Sequence, residues 1–171
     1  VYIRESARDR TLLVPYLSNL IGLKLFLGVI AYAAMITMAF FTYDRALMPL
    51  LIIGGITMIT DAISINLYGA LRAIGDLRFE ARSLVGAQAI TFVIGSLAVW
   101  LKLPLPWLMA AFLIPSALNV IYVGFNIHHG HQIPLRAALD FKLLKKLFRL
   151  ALPFMLAAIF FRVYSSIDTL L

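Results

Sequence analysis

The sequence predicts an all-α protein, a polytopic bundle of transmembrane helices. Hydrophobic residues make up 63% of its 171 residues and charged residues only 13%, against roughly half and a quarter in soluble domains. The mean hydropathy is +0.96, and the chain contains apolar runs of about 20 residues or more, the length that a membrane-spanning helix needs. A soluble fold of this size has no interior large enough to hide so much apolar surface.

The apolar runs have the composition of helices that cross a bilayer. Soluble helices carry an apolar stripe and a polar back, whereas these runs are apolar on all sides and do not alternate as half-buried strands would. Pro15 lies where the first turn of a helix tolerates proline. The predicted spans are 12–41, 47–71, 83–101, 103–127 and 150–171.

The two ends of the chain predict that it is an internal piece of a longer membrane protein. The chain begins at Val1 rather than at a methionine, and it stops at Leu171 inside an apolar run. A cleavable signal is not expected, because charged residues precede an apolar run far longer than a signal core.

The basic residues between the runs predict the orientation of the spans. Eleven of them fall in alternate connections, and only Arg45 and Lys102 fall in the opposite ones. By the positive-inside rule, residues 1–11, 72–82 and 128–149 are therefore expected to be cytoplasmic, in a multi-pass protein of the cytoplasmic (inner) membrane. The eleven are Arg4, Arg8, Arg10, Arg72, Arg78, Arg82, Arg136, Lys142, Lys145, Lys146 and Arg149.

Charge and cysteine usage exclude several other classes of protein. The net charge of +7 would suit nucleic-acid binding only if the basic residues formed a clustered face on a soluble domain. Here they are divided among connections between apolar runs, so no nucleic-acid partner is expected. Cysteine is absent, which excludes disulfides, thiolate metal sites and a cysteine nucleophile.

Few residues have the spacing of a catalytic site. His128, His129 and His131 could suggest a metal site, but no carboxylate or cysteine lies at ligand spacing, which favours a solvated or headgroup-facing cluster. Asp76 and Glu80 imitate paired catalytic carboxylates, yet arginines surround them, which favours a charged helix in the loop. We therefore expect neither an enzyme nor a bound cofactor or metal.

The basic stretch before the last span has two interpretations. At 100° per residue, one stripe contains cationic side chains and the stripe beside it contains leucines. Such a helix lies on the membrane surface, attracted by anionic headgroups; the alternative is a basic stop signal that leads directly into the fifth span. The two stripes are Lys142, Lys145, Lys146 and Arg149, and Leu139, Leu143, Leu147 and Leu150.

Charges inside the predicted spans are the candidates for function. Each costs roughly 2.5–3.5 kcal/mol at the centre of a helix. Lys24 in the first span and Asp61 in the second lie at similar depth on antiparallel neighbours, so they either pair or line a water-filled cavity for substrate or a coupling ion. Arg162 in the fifth span has no carboxylate three or four positions away, so it needs a partner on another helix or an anionic ligand. Asp168 lies near the far interface.

Two prolines are candidates for kinks in the predicted spans. Pro115 and Pro153 are expected to kink their helices, because proline removes a backbone hydrogen bond and releases a carbonyl that must be satisfied locally. Broken helices of this kind are common in transporters.

Two segments resemble a known transporter family. The run 152–168, LPFMLAAIFFRVYSSID, resembles the start of the seventh helix of polysaccharide (O-antigen-type) flippases, in which an LP pair and a later ID recur. The run 68–83, YGALRAIGDLRFEARS, resembles their loop between helices four and five. These proteins belong to the multidrug/oligosaccharidyl-lipid/polysaccharide (MOP) superfamily, and the motif matches Pro153 and Asp168.

The resemblance implies part of a two-lobe, MATE-like transporter. Residues 1–127 would supply helices three to six of the N-terminal lobe, 128–149 the cytoplasmic linker between the lobes, and 150–171 the first helix of the C-terminal lobe. It implies flipping of an undecaprenyl-pyrophosphate-linked oligosaccharide by alternating access, with polysaccharide polymerase and export machinery as further partners. Arg162 and Lys24 would then meet the pyrophosphate, and Asp61 or Asp168 would carry a coupling proton or sodium ion or hold the cations in place.

Other functions compete with this interpretation. A cation-coupled multidrug exporter or a lipid II flippase would stay within the same superfamily, although an exporter of cations should favour acidic residues at membrane depth. An integral membrane glycosyl- or acyltransferase would need acidic or histidine residues at a loop–membrane boundary. A scaffolding protein would leave the charges inside the spans unexplained.

Overall fold

The fold consists of α-helices joined by short connections. The computed structural model describes the backbone of residues 2–42 and 44–167, and their side chains except those of residues 46, 154, 155, 158, 159 and 161–167. No β-strand occurs among the described residues, and the predicted all-α bundle is confirmed. The helices are α1 (Tyr2–Arg8), α2 (Leu13–Thr42), α3 (Met48–Ile74), α4 (Leu77–Trp100), α5 (Leu105–Phe125) and α6 (Phe141–Ile167).

Four stretches of the described chain are long and apolar enough to cross a membrane, which makes this a membrane-embedded protein. They correspond to the first four predicted spans and have mean hydropathies between 1.7 and 2.1. The fifth predicted span, 150–171, begins inside α6, and many of its side chains lie outside the described residues. The four stretches are Arg10–Thr42, Met48–Ile74, Leu77–Trp100 and Leu105–Gly130.

The connection between α3 and α4 is much shorter than the charged stretch 72–82 suggested. Gly75 adopts the left-handed conformation (φ 86°) that favours glycine, and its N–H returns to the carbonyl groups of Leu71 and Arg72. Only Gly75 and Asp76 separate the two helices. Charged residues outside the hydrocarbon do not end a helix, so α4 begins six residues before the predicted span at Ser83.

The buried core lies at one end of the bundle. It joins Leu17 of α2, Leu67 and Leu71 of α3, and Val123 and Ile127 beside the end of α5, all of them almost fully buried. This is the end that carries the predicted cytoplasmic connections, and it is called the basic end below. Packing here fixes the helices against one another.

The opposite end, called the far end below, is more open. Phe41 and Trp100, near the last turns of α2 and α4, are about four-fifths exposed. The two connections there are short, and in the second of them Lys102 takes a left-handed backbone conformation (φ 53°). The helices are therefore held together mainly from the basic end.

Residues 132–140 form an extended segment that is attached to α2. The Ala138 N–H donates to the Ser18 carbonyl oxygen at 3.1 Å, and the Asp140 N–H donates to the side-chain oxygen of Asn19. Gly22 permits this contact, because the Ala138 carbonyl occupies the space that a Cβ at position 22 would need. The segment therefore covers the basic end of α2.

The basic stretch belongs to α6 and is not a separate helix. The Asp140 carboxylate accepts the backbone N–H groups of Lys142 at 2.9 Å and Leu143 at 3.3 Å, an N-cap arrangement. From Phe141 the helix runs through Pro153 to Ile167 without interruption. This continuity favours the stop-signal interpretation over a separate interfacial helix.

Both prolines occupy the interiors of helices that continue on either side. Pro115 has no N–H to donate to the carbonyl of Ala111, four residues earlier. It precedes Ser116, a buried residue whose hydroxyl bonds to α3. The kinks themselves stay a prediction.

Gly22→Leu should loosen the segment 132–140. The new side chain must displace the Ala138 backbone, and overpacking of this kind costs typically ~1–3 kcal/mol. We expect a lower midpoint of thermal unfolding for the detergent-purified protein. Gly95→Leu is the matched control, since nothing lies within 4 Å of a Cβ at Gly95. Equal midpoints for the two variants would contradict the close contact.

Candidate functional site

Lys24 lies in α2 and reaches across to α3. Its Nζ donates a hydrogen bond to the backbone carbonyl oxygen of Ala62 at 3.1 Å. The side chain is half-buried and lines a cavity of about 440 Å³ between the two helices, together with Tyr32 and Met35. An ammonium group has three donors, so one carbonyl leaves it able to bind a further acceptor in the cavity.

Asp61 lies in α3 and is bonded to α5. Its Oδ1 accepts a hydrogen bond from the hydroxyl of Ser116, and the Ser116 oxygen lies 2.7 Å from the hydroxyl oxygen of Thr60. An ionised carboxylate only accepts hydrogen bonds, which fixes Ser116 as the donor. The two helices are thus joined at mid-span by a carboxylate and two hydroxyls.

The predicted ion pair between Lys24 and Asp61 is not formed. The ammonium binds the carbonyl of Ala62, and no salt bridge joins the two charged groups among the described residues. Consecutive residues of an α-helix point about 100° apart. Ala62 therefore faces α2 while Asp61 faces α5. Lys24 and Asp61 lie at similar depth, but Asp61 is on the side of α3 that points away from α2.

Asp61 opens into a polar cavity between α3, α4 and α5. The cavity has a volume of about 330 Å³, and the Asp61 side chain is exposed. Hydroxyl and amide side chains predominate among its polar groups, with no basic residue in its lining. The polar lining residues are Thr57, Asp61, Ser64, Tyr68, Gln88, Thr91, Ser116 and Asn119.

A second set of hydrogen bonds closes the cavity toward the basic end. The buried Tyr68 hydroxyl on α3 accepts from the side-chain amide of Asn119 on α5 and lies 3.1 Å from the hydroxyl of Ser83 on α4. The other amide atom of Asn119, its Oδ1, is buried without a hydrogen-bond partner among the described residues. Tyr68 therefore holds three helices together below Asp61.

Arg72 and Glu80 form an ion pair across the Gly75 turn. The guanidinium Nε lies 2.9 Å from Oε2 and 3.1 Å from Oε1 of Glu80, and Nη2 also donates to Oε1. Glu80 is buried and Arg72 is about half exposed. Glu80 is thus committed to holding α3 against α4, which agrees with a charged helical connection rather than a pair of catalytic carboxylates.

The three histidines are held by separate contacts. His131 Nε2 lies 3.4 Å from a carboxylate oxygen of Asp76. The His129 ring stacks on Phe125 with centroids 4.1 Å apart, and His128 Nδ1 lies 3.3 Å from the Ile133 carbonyl oxygen. Among the described residues, no group of three or more histidine or carboxylate side chains is placed to hold a metal ion.

Two of the predicted site residues fall outside this description. Arg162 lies on the backbone of α6, but its side chain is outside the described residues, as is the whole of Asp168. Neither Ser116 nor Tyr68 was singled out from the sequence alone. The signal was present in the spacing, since residues 61, 64 and 68 share one helical face, as do 116 and 119.

Comparison of the chain with protein-family models, curated proteins and solved structures gives no significant match. Function is therefore argued from the site. Within α2 and α3 the described residues offer one cation and one anion at mid-span, facing different cavities on opposite sides of α3. This arrangement can bind an anionic group beside Lys24 and a cation or a proton beside Asp61.

Double-mutant cycles should show that the contacts of Asp61 and those of Lys24, on opposite sides of α3, contribute independently to the free energy of unfolding. Asp61→Ala and Ser116→Ala should be coupled by roughly 0.6–1.7 kcal/mol, the range measured for hydrogen bonds between transmembrane helices. Lys24→Ala and Asp61→Ala should be additive, because their partners differ. The measurement is the free energy of unfolding in detergent. Strong coupling in the second cycle with none in the first would restore the ion pair and refute this site.

Proposed function

We propose that the chain is part of a membrane transporter that flips a lipid-linked, undecaprenyl-pyrophosphate-type oligosaccharide across the cytoplasmic membrane. The observation that supports this most is the separation of Lys24 from Asp61. Each charge faces its own cavity within helices of membrane-spanning length. Two charges kept apart at this depth are costly, and a function that uses them explains why they are present.

A purely structural role would favour neutralisation of the two charges by each other. A carboxylate and an ammonium in a low-dielectric region are stabilised by pairing, and here both lie on or against the same stretch of α3. Instead, Lys24 binds a backbone carbonyl and Asp61 binds a hydroxyl. Neither contact brings an opposite charge from a described residue to Lys24 or Asp61, which is the arrangement expected of groups that bind a charged ligand.

Lys24 is the described residue best suited to an anionic substrate group. A pyrophosphate that leaves water loses hydration, and an ammonium or guanidinium group offsets that loss through charge-assisted hydrogen bonds. The resemblance to polysaccharide flippases supplies the substrate class, and Arg162 would be the second cation on the facing lobe. The cavity beside Lys24, at about 440 Å³, fits a headgroup better than a whole glycan.

Alternating access agrees with the uneven packing of the bundle. The core and the segment 132–140 pack closely at the basic end, while the far end is more exposed. The positive-inside rule predicts that the basic end is cytoplasmic. We therefore expect the far end to be the side on which such a transporter opens first. Transport would require the basic end to open in turn, and the hydrogen bonds of Tyr68 would have to break.

A cation-coupled multidrug exporter is the second candidate. The observation that favours it is Asp61, an exposed carboxylate in a polar cavity without a basic residue in its lining. Such a group could take a proton, a sodium ion or a cationic drug. In a flippase the same residue would serve the coupling ion, so the two candidates differ in the role of Lys24.

Deletion of the full-length gene tests the transported substrate. A flippase predicts that carrier-linked repeat units accumulate on the cytoplasmic face and that surface polysaccharide is lost. The measurements are extraction of the lipid-linked glycan and immunoblotting of the surface polymer. Unchanged surface glycan together with greater sensitivity to cationic compounds would move the assignment to the exporter.

Lys24→Ala should reduce glycan export at least tenfold in the complemented deletion strain, because the mutant cavity lacks its cation. Lys24→Arg should keep partial export, since the positive charge remains. Lys102→Ala removes a lysine at the far end and is the matched control. Protein abundance in the membrane is measured in parallel. Full export by a normally expressed Lys24→Ala protein would exclude the role of Lys24 in substrate binding.

A further inference from the structure

An apolar groove runs between α4 and α5 in the half of the bundle nearest the basic end. It has a volume of about 580 Å³. Its walls are almost wholly apolar, and the residues that shape it are Gly86, Ile90, Pro115, Leu118, Ile121 and Phe125. Two of the polar residues in its lining, Ser83 and Asn119, are hydrogen-bonded to Tyr68.

The mouth of the groove is cationic. Arg82 lines it at the basic end, and Arg78 lies four residues earlier, on the same face of α4. Both side chains are exposed, and neither forms a salt bridge to a described residue, since Glu80 between them is bonded to Arg72. The groove therefore combines an apolar interior with the Arg82 guanidinium group at one end, and Arg78 lies one helical turn further toward the basic end.

The length of the groove matches one leaflet of a bilayer. From Arg82 to Ile90 the lining covers eight residues of helix rise, about 12 Å. Half of a hydrocarbon core is about 15 Å thick. A lipid of the leaflet at the basic end would therefore place its phosphate beside Arg82 and its acyl chain along Gly86 and Ile90.

A second groove between the same two helices provides a comparison. It lies toward the far end, has a similar volume of about 650 Å³, and is lined by Gly95, Val99 and Leu108 among others. None of the described residues that line it is charged. The cationic mouth is thus what distinguishes the groove at the basic end from an ordinary gap between helices.

We propose that the α4–α5 groove at the basic end is a binding site for an anionic phospholipid of the cytoplasmic leaflet. Arg82, with Arg78 beside it, binds the phosphate headgroup, and the space above Gly86 holds one acyl chain. The site is separate from the cavities of Lys24 and Asp61, and it does not depend on the transport function proposed above. Charge complementarity selects the headgroup, because a zwitterionic lipid gains less from two unneutralised cations.

The test uses the full-length protein in a non-ionic detergent, with lipid binding followed by native mass spectrometry. The probes are phosphatidylglycerol and phosphatidylcholine with identical acyl chains. Wild-type protein should prefer phosphatidylglycerol, and Arg82→Gln should lower that preference about five-fold, the effect of one basic side chain at an anionic lipid surface. Arg10→Gln, which removes an exposed arginine outside the groove, should leave the preference unchanged.

A pair of glycine substitutions tests the position of the acyl chain. Gly86→Leu and Gly95→Leu each extend a side chain into open space, because nothing lies within 4 Å of a Cβ at either position. Gly86→Leu should reduce tight phosphatidylglycerol binding at least five-fold, and Gly95→Leu should not. Should Gly86→Leu fail to fold, Arg82→Gln alone still decides the headgroup assignment.

Three results would overturn the proposal. In the first, Arg82→Gln and Arg10→Gln change lipid preference equally, which makes the preference a property of the whole surface. In the second, Gly95→Leu has the same effect as Gly86→Leu. In the third, wild-type protein binds undecaprenyl phosphate more tightly than phosphatidylglycerol and Gly86→Leu removes that preference, which assigns the groove to a polyprenyl carrier.

Discussion

The hydrocarbon core offers no hydrogen-bond partners, so the backbone polar groups of the long helices must find theirs within the protein, and polar side chains are stabilised when they do the same. This constraint makes α3 the central element. Lys24 reaches its backbone, Asp61 projects from it to Ser116, and Tyr68 joins it to both α4 and α5. The helices α2, α4 and α5 are thus each attached to α3 through at least one polar contact. Helix association in lipid is driven by van der Waals packing together with interhelical hydrogen bonds, so these contacts act with the core at the basic end to set the arrangement.

The fold class and the first four spans could be predicted from the sequence because the bilayer restricts the choice to continuous helices. The site could be predicted only in part. Depth along a helix follows from residue number, so Lys24 and Asp61 were correctly placed in the interiors of their helices. The direction in which a side chain points depends on the rotation of the helix about its axis, which residue number does not give. Asp61 and Ala62 are consecutive, yet Asp61 faces α5 and Ala62 faces α2. A comparison of the first two spans alone could not reveal that the partner of Asp61 is Ser116 on α5.

Charge outside the membrane was also harder to interpret than charge within it. Residues 72–82 contain three arginines and two acidic residues, a composition typical of a loop. In the structure nearly all of residues 72–82 are helical, because Glu80 neutralises Arg72 and the left-handed Gly75 reverses the direction of the chain between α3 and α4. Because Glu80 is bonded to Arg72, its carboxylate is not available to Arg78 or Arg82. A local ion pair therefore determines which of the three arginines remain available to a lipid.

The groove and the polar cavity are neighbours as well as separate sites. Ala87, Pro115 and Asn119 line both of them, so a single layer of residues separates a space for acyl chains from the cavity of Asp61. A substitution in that layer would alter lipid binding and the polar site together and could not distinguish them. Gly86 lines only the groove, and Asp61 lines only the cavity. These two positions can therefore separate the effect of a bound lipid from the effect of a charge within the membrane.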